Sequence, residues 1–261
     1  MPLEGLRQGF TIAVSGKGGV GKTALSALLV RILSRMGGVL AIDADPDSNL
    51  PQALGLEVET TVGEAREAIL NAPARSRVAS DKAAAWRLAL AEKVEETYDY
   101  DLLVMGRSEG PGCYCAVNSI LRDVIDSRAD SYDFTVIDCE AGLEHLSRRT
   151  TRDVDVLLAV ADPTKNGLVT AKRVQELTGE LMVDFGTTAV LVNKVTPENK
   201  PLVESQAREQ GVEVAFFLPL DPVVAEHDML GKPVAQIPDD SPIVQAVVAM
   251  MEQVLAAAAN I

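Results

Sequence analysis

The segment FTIAVSGKGGVGKTALSALLVRILSRMG, Phe10 to Gly37, constrains the fold more than any other part of this chain. A short β-branched run leads into GKGGVGKT, Gly16 to Thr23, and apolar residues at three- and four-residue spacing follow at once. This is the strand–loop–helix context that the phosphate-binding pattern G-x-x-x-x-G-K-[ST] requires, and all four of its fixed positions are filled. Gly16, Gly18, Gly19 and Gly21, with Val20 among them, let backbone N–H groups turn inward around phosphate oxygens. Lys22, Thr23 and Ala24 open the helix, whose N-terminus favours negative charge. Lys22 is expected to reach the β- and γ-phosphates, and Thr23 to place its hydroxyl on Mg²⁺. The plainer alternative is a glycine-rich turn that binds nothing, and four filled positions in the right context speak against it.

Further along, near-continuous apolar runs alternate with helical patterns. FTIAVS, GVLAID, DLLVMG, DFTVIDC, VDVLLAV, TTAVLVNK and VEVAFFL read as strands. KTALSALLVRILSRMG, SDKAAAWRLALAEKVEETY, AVNSILRDVIDS and NGLVTAKRVQELTGEL read as helices between them. Such alternation predicts an α/β fold, a mostly parallel central sheet flanked by helices on both faces, as in a P-loop NTPase. With 261 residues and neither repeat nor low-complexity linker, a single domain over 1–261 is expected.

A net charge of −14 argues against a nucleic-acid partner, because phosphate backbones need clustered Lys and Arg. One basic cluster, RRTTR at Arg148–Arg152, reads as a solvated helix face or a docking patch for an acidic protein. No window reaches the ~20 apolar residues of a membrane span. The apolar C-terminal stretch SPIVQAVVAMMEQVLAAAANI lacks the Lys/Arg rim of an interfacial helix and reads as core packing. No signal peptide precedes the first glycine loop, so a cytoplasmic protein without a membrane partner is expected.

The generic motif does not explain Lys17. Its presence in GKGGVGKT resembles the deviant Walker A ATPases, which include the septum-positioning ATPase MinD and the nitrogenase iron protein. The resemblance implies that Lys17 reaches across a homodimer interface to the partner's nucleotide, so that ATP is sandwiched between two chains. It makes AIDADPDSN a first switch, with Asp45 positioning the attacking water and Asp43 near the Mg²⁺ shell. It makes Asp138, at the end of FTVID, the residue that holds Mg²⁺ through water, and EAGLEH a second switch. Asn193 of LVNK, whose amide matches an adenine edge, and Pro219, Leu220 and Asp221 of LPLD fall at the adenine site. Helix capping or turn chemistry remains the simpler role for any one of these residues.

Two of the three cysteines, Cys113 and Cys115, lie one residue apart in GPGCYCAVN. A closed metal site wants four ligands, and one chain offers two thiolates here. A disulfide between them would be strained. A two-fold axis, however, would bring four thiolates to one point. The dimer implied by Lys17 and the half-site offered by the cysteines therefore describe one assembly.

EGPGCYC followed by N-x-x-L-R (Asn118 to Arg122), with DCEAGLEHL and DADPDSN, is similar to the CooC-type nickel-insertion ATPases. That resemblance implies a metallochaperone which binds Ni²⁺ or Zn²⁺, one per dimer, at Cys113 and Cys115. Its client would be carbon monoxide dehydrogenase or the related acetyl-CoA synthase. The rival readings are an electron donor like the nitrogenase iron protein and a MinD-like positioning switch. Cys139 departs from the family pattern and reads as a small buried hydrophobe or, alternatively, as a redox-sensitive or metal-accepting thiol beside the second switch. His145 and His227 are not expected to be ligands, and Trp86 reads as packing.

Overall fold

The computed structural model describes residues 6–71, 94–107, 131–140, 154–178 and 185–259. Their eight strands are β1 (Phe10–Gly16), β2 (Val39–Asp43), β3 (Val94–Glu96), β4 (Asp101–Val104), β5 (Phe134–Asp138), β6 (Val154–Ala161), β7 (Phe185–Val195) and β8 (Val214–Pro219). They form one sheet in the order β3-β4-β2-β5-β1-β6-β7-β8. Every neighbouring pair is parallel except β3–β4. The described helices are α1 (Lys22–Ser34), α2 (Leu50–Leu54), α3 (Val62–Asn71), α4 (Lys165–Thr178), α5 (Lys200–Gln210), α6 (Pro222–Met229) and α7 (Pro242–Ala258), with a 3-10 turn at Val234–Gln236.

Alternation along the strands divides the core. Ile12 and Val14 of β1 face one layer with Leu28, Leu29 and Leu33 of α1 and Val247, Met250 and Met251 of α7. Ala13 faces the other, with Leu168, Ala171 and Val174 of α4. Helices on both faces explain why the strand sequences are apolar at nearly every position. The α1 leucines are at most 2% exposed, so truncating any one to alanine costs about 2–5 kcal/mol. The C-terminal segment forms α7 and buries Ile243, Val244, Val247, Met250, Met251, Val254 and Leu255, as core packing requires.

All seven expected strands are present. The end of SDKAAAWRLALAEKVEETY is instead the antiparallel edge strand β3, a correction to its helical reading. Strand order places β1 between β5 and β6, while α1 carries the chain past β5 to β2. A crevice therefore opens beyond the C-terminal ends of the strands, where open α/β sheets bind ligands. No helix among the described residues is long and apolar enough to cross a membrane.

Candidate functional site

The loop after β1 is shaped by positions where a side chain cannot fit. A Cβ on Gly16 would lie 2.2 Å from the Val160 carbonyl oxygen of neighbouring β6. Gly19 (φ 80°) and Gly21 (φ 97°) adopt left-handed backbone, and Gly21 caps α1 without a side-chain hydrogen bond. Its first N–H groups thus remain available to an anion. Val20 is 1% exposed and anchors the loop in the core, so only its backbone can serve the site. Lys22 is buried, its Nζ donating to the Lys17 carbonyl at 3.5 Å, whereas Lys17 itself is exposed.

A cavity of about 570 Å³ opens beside this loop. Gly18, Gly19, Gly21, Lys22, Thr23 and Ala24 line its phosphate end, with Asp45 and Asp47 beside them. Asn193 and Lys194, beside the loop, and Pro219, Leu220 and Asp221 also line it, and Leu218, Val224 and Val234 add apolar surface. One end suits an anion and the other a flat apolar ring.

Asp43 and Asp138 are side-by-side partners at the ends of β2 and β5. Burial pushes the Asp43 carboxyl up to about 7, and the Asp138 charge adds to the effect. Its two oxygens accept from the N–H groups of Asp45 (3.0 Å) and Leu50 (2.9 Å). Asp43 thus ties down the loop that carries Asp45, and both of its oxygens are engaged in doing so. Asp45 in turn accepts from the Asp47 N–H at 3.0 Å.

Burial likewise pushes Asp138 up to about 6, against the pull of the Thr23 and Ser26 hydroxyls and the Lys22 ammonium. Its Oδ1 accepts from the Ser26 hydroxyl at 3.1 Å, while Oδ2 is buried without a hydrogen bond. A buried carboxylate oxygen left unpaired is costly. Hydrated Mg²⁺ would supply both the missing donor and the missing charge, so this donor set fits that ion. Ser26 was legible as one turn beyond Thr23 on the same helix face, yet the sequence reading passed over it.

The residues expected at an adenine site are more engaged than their sequence suggested. Asn193 donates through Nδ2 to the Val20 carbonyl (2.9 Å) and accepts through Oδ1 from the Lys194 N–H (2.8 Å). The Lys194 ammonium, which sequence reasoning missed, donates to the Gly19 carbonyl at 2.7 Å. Asp221 caps α6 through the Val223 N–H and α7 through the Ile243 N–H, each at 3.1 Å, and also accepts from the Ser241 hydroxyl. Burial raises its pKa, but these three donors together hold it below the usual carboxylate value.

Cys113, Cys115, Trp86, His145 and the RRTTR cluster lie outside the described residues. Cys139 is 1% exposed, packed in the core, and burial pushes its thiol strongly up, which makes it an inert packing residue. His227 donates through Nδ1 to the Pro233 carbonyl at 2.9 Å, a capping contact at the end of α6. Among the described residues no three or more His, Cys, Asp and Glu side chains are grouped to hold a metal ion.

Residues 11–234 match the family model of the CobQ/CobB/MinD/ParA nucleotide binding domain. An uncharacterized ATP-binding protein of Methanocaldococcus jannaschii is 47% identical over 247 residues, 94% of this chain and 98% of that protein. The carbon monoxide dehydrogenase accessory protein CooC of Rhodospirillum rubrum is 32% identical over 236 residues, 85% of this chain and 87% of its own. Among solved structures, a ParA family ATPase from Chlorobium tepidum shares the fold at a TM-score of 0.70 and 19% identity, covering 92% of this chain and 97% of its own.

Proposed function

This chain belongs to the CobQ/CobB/MinD/ParA nucleotide-binding family and is an ATPase, and we propose that it works as an ATP-driven metallochaperone for a nickel enzyme. The likeness to CooC across 85% of the chain carries this reading, and the Cys-x-Cys pair gives it a chemical basis. The client would be carbon monoxide dehydrogenase or a related nickel enzyme such as acetyl-CoA synthase. The setting would be the cytoplasm, where thiols stay reduced.

In this mechanism the loop amides from Gly18 to Thr23 and the Lys22 ammonium hold the triphosphate, and the apolar wall takes the adenine ring. Mg²⁺, held by the Thr23 hydroxyl and through water by Asp138, would add positive charge where the β- and γ-phosphate oxygens gain negative charge. Asp45 orients the water whose oxygen attacks the γ-phosphorus as the bond to the β–γ bridging oxygen breaks. Asp43 holds the backbone of Asp45 in place for that task. Lys17, exposed at the mouth of the loop, serves the nucleotide of a second copy. Closure of that dimer gathers Cys113 and Cys115 from both chains around one Ni²⁺ or Zn²⁺, four thiolates for one ion. Hydrolysis then reopens the dimer and frees the ion for the client.

An anaerobic titration of the reduced protein with Ni²⁺, read by thiolate-to-metal charge-transfer absorbance, tests the proposal beside a Cys113→Ala/Cys115→Ala variant. Saturation near one nickel per two chains, lost in the variant, is the expected result. Equal binding by the variant, or none by either protein, would leave an ATPase whose cysteines serve another purpose.

A further inference from the structure

The end of β7 departs from regular geometry where it faces the phosphate loop. Val192 pairs with Phe217 of β8 and Val195 with Pro219, so β7 spends one residue more than β8 over this stretch. The bulge contains Asn193 and Lys194, and Lys194 adopts left-handed backbone at φ 60°. Such a conformation is unfavourable for a lysine, and it persists only where the surroundings hold it. Here the bulge aims two consecutive side chains at two consecutive loop carbonyls. Asn193 Nδ2 binds the Val20 oxygen at 2.9 Å and Lys194 Nζ the Gly19 oxygen at 2.7 Å. The fit leaves no slack, because a Cβ on Gly21 would stand 2.5 Å from Asn193 Nδ2.

A trans peptide points its C=O and its following N–H in opposite directions. Holding the Gly19 and Val20 carbonyls toward β7 therefore fixes the N–H groups of Val20 and Gly21 away from it. Both amides belong to the cradle that must converge on phosphate. We propose that Asn193 and Lys194 are positioning residues that clamp the phosphate loop in its nucleotide-binding conformation before any nucleotide arrives. The inference rests on the nucleotide-binding reading of the cavity and deepens it. It adds to the expected place of Asn193 at the adenine edge a second role, orienting the loop. The ammonium of Lys194 adds a fixed positive charge behind the cradle, bonded to protein and so spared reorganisation when the anion enters.

Lys194→Met keeps the aliphatic stem against the cavity and removes the ammonium alone. In the nucleotide-free variant, amide hydrogen exchange over residues 16–24 is expected to quicken while the rest of the sheet keeps its protection. Loss of one charge-assisted hydrogen bond is expected to weaken Mg²⁺–ADP and Mg²⁺–tripolyphosphate by the same factor, about tenfold, with Lys194→Arg restoring part of it. Tripolyphosphate lacks a base, so a loss confined to ADP would mean that Lys194 only walls the ring, and the clamp would be wrong. Unchanged exchange over residues 16–24 would overturn it as well. A Lys194→Gly variant relieves the left-handed strain while losing the ammonium. It is expected to melt no lower than wild type and still bind weakly, whereas wild-type affinity in that variant would sink the clamp. Wild-type protein that binds neither ligand would refute the nucleotide-binding reading itself.

Discussion

The sheet carries a cavity at each end of its strands, of about 570 Å³ at the C-terminal ends and about 580 Å³ at the N-terminal ends. Their sizes are nearly equal and their chemistry is opposed. At the second cavity, Asp155 is fully engaged: it forms an ion pair with Arg7 at 2.8 Å and accepts from the Thr11 N–H at 2.7 Å. Phe10, Val156, Val190 and Phe216 supply apolar wall there. The first cavity is lined by Lys22 and Thr23, which act on buried Asp138, one oxygen of which has no hydrogen bond, and by Lys194 in left-handed backbone. Volume does not distinguish the two. Polar groups left unsatisfied and backbone held off its minimum do, because evolution tolerates such costs where a ligand later offsets them.

The largest expected effect breaks the symmetry outright. Lys22→Met removes the buried ammonium that faces the phosphate end and should lower ATP hydrolysis at least about a hundredfold, as loss of a charged transition-state contact does. Steady-state phosphate release measures it. Retention of more than a tenth of the wild-type rate would show that the cavity does not work as a phosphate site.

Next in size is one substitution made at both ends. For Asp43 and Asp138 the folded pKa lies above the ordinary value of 3.8, at about 7 and about 6. The folded protein therefore binds more protons than the unfolded chain between pH 4 and 7, and stability falls as pH rises through that window. Nucleotide-free and metal-free protein is expected to melt higher at pH 5 than at pH 8. Asp138→Asn should flatten that slope and raise the pH 8 midpoint while abolishing hydrolysis. Asp155→Asn should do the reverse: it loses an ion pair and lowers stability by about 1 kcal/mol while hydrolysis stays at the wild-type rate. Thermal melts across pH, with hydrolysis assays, decide both. A melt that rises toward pH 8 would overturn the account of the carboxylate pair.

What the sequence disclosed follows from range. The phosphate loop was legible because its glycines answer to local backbone sterics, and Gly16 to Thr23 read directly as structure. The seven apolar strands were legible because burial on both faces leaves a continuous signal. Val94–Glu96 was not, because a short edge strand carrying charges has the composition of a solvated helix. The hydrogen bond from Asn193 to Val20 joins residues 173 positions apart, and nothing near either one announces it. The resemblance put Asp43 near the Mg²⁺ shell. Its further role in holding the loop shows only in the register beside Asp138 and in the Leu50 amide. Lys194 was hidden for a related reason, since left-handed backbone at a lysine comes from the bulge and not from the residue.

The smallest expected effect sharpens the comparison from the quiet side. Ala189, in β7 and 8% exposed, borders the cavity at the N-terminal ends of the strands. Ala189→Val adds two methyl groups toward that space and favours the extended backbone that β7 already has. If this cavity is only imperfect packing, the added methyls make new contacts, and stability should rise by up to about 1 kcal/mol. Chemical denaturation measures the gain, which should appear as a shifted midpoint at constant slope. Hydrolysis should be unchanged, since the substitution touches the end of the sheet remote from Lys22 and Asp45. A fall in hydrolysis with stability preserved would mean that the two ends communicate along β7, whose far end holds Asn193 and Lys194, and the contrast between a working cavity and an idle one would no longer stand.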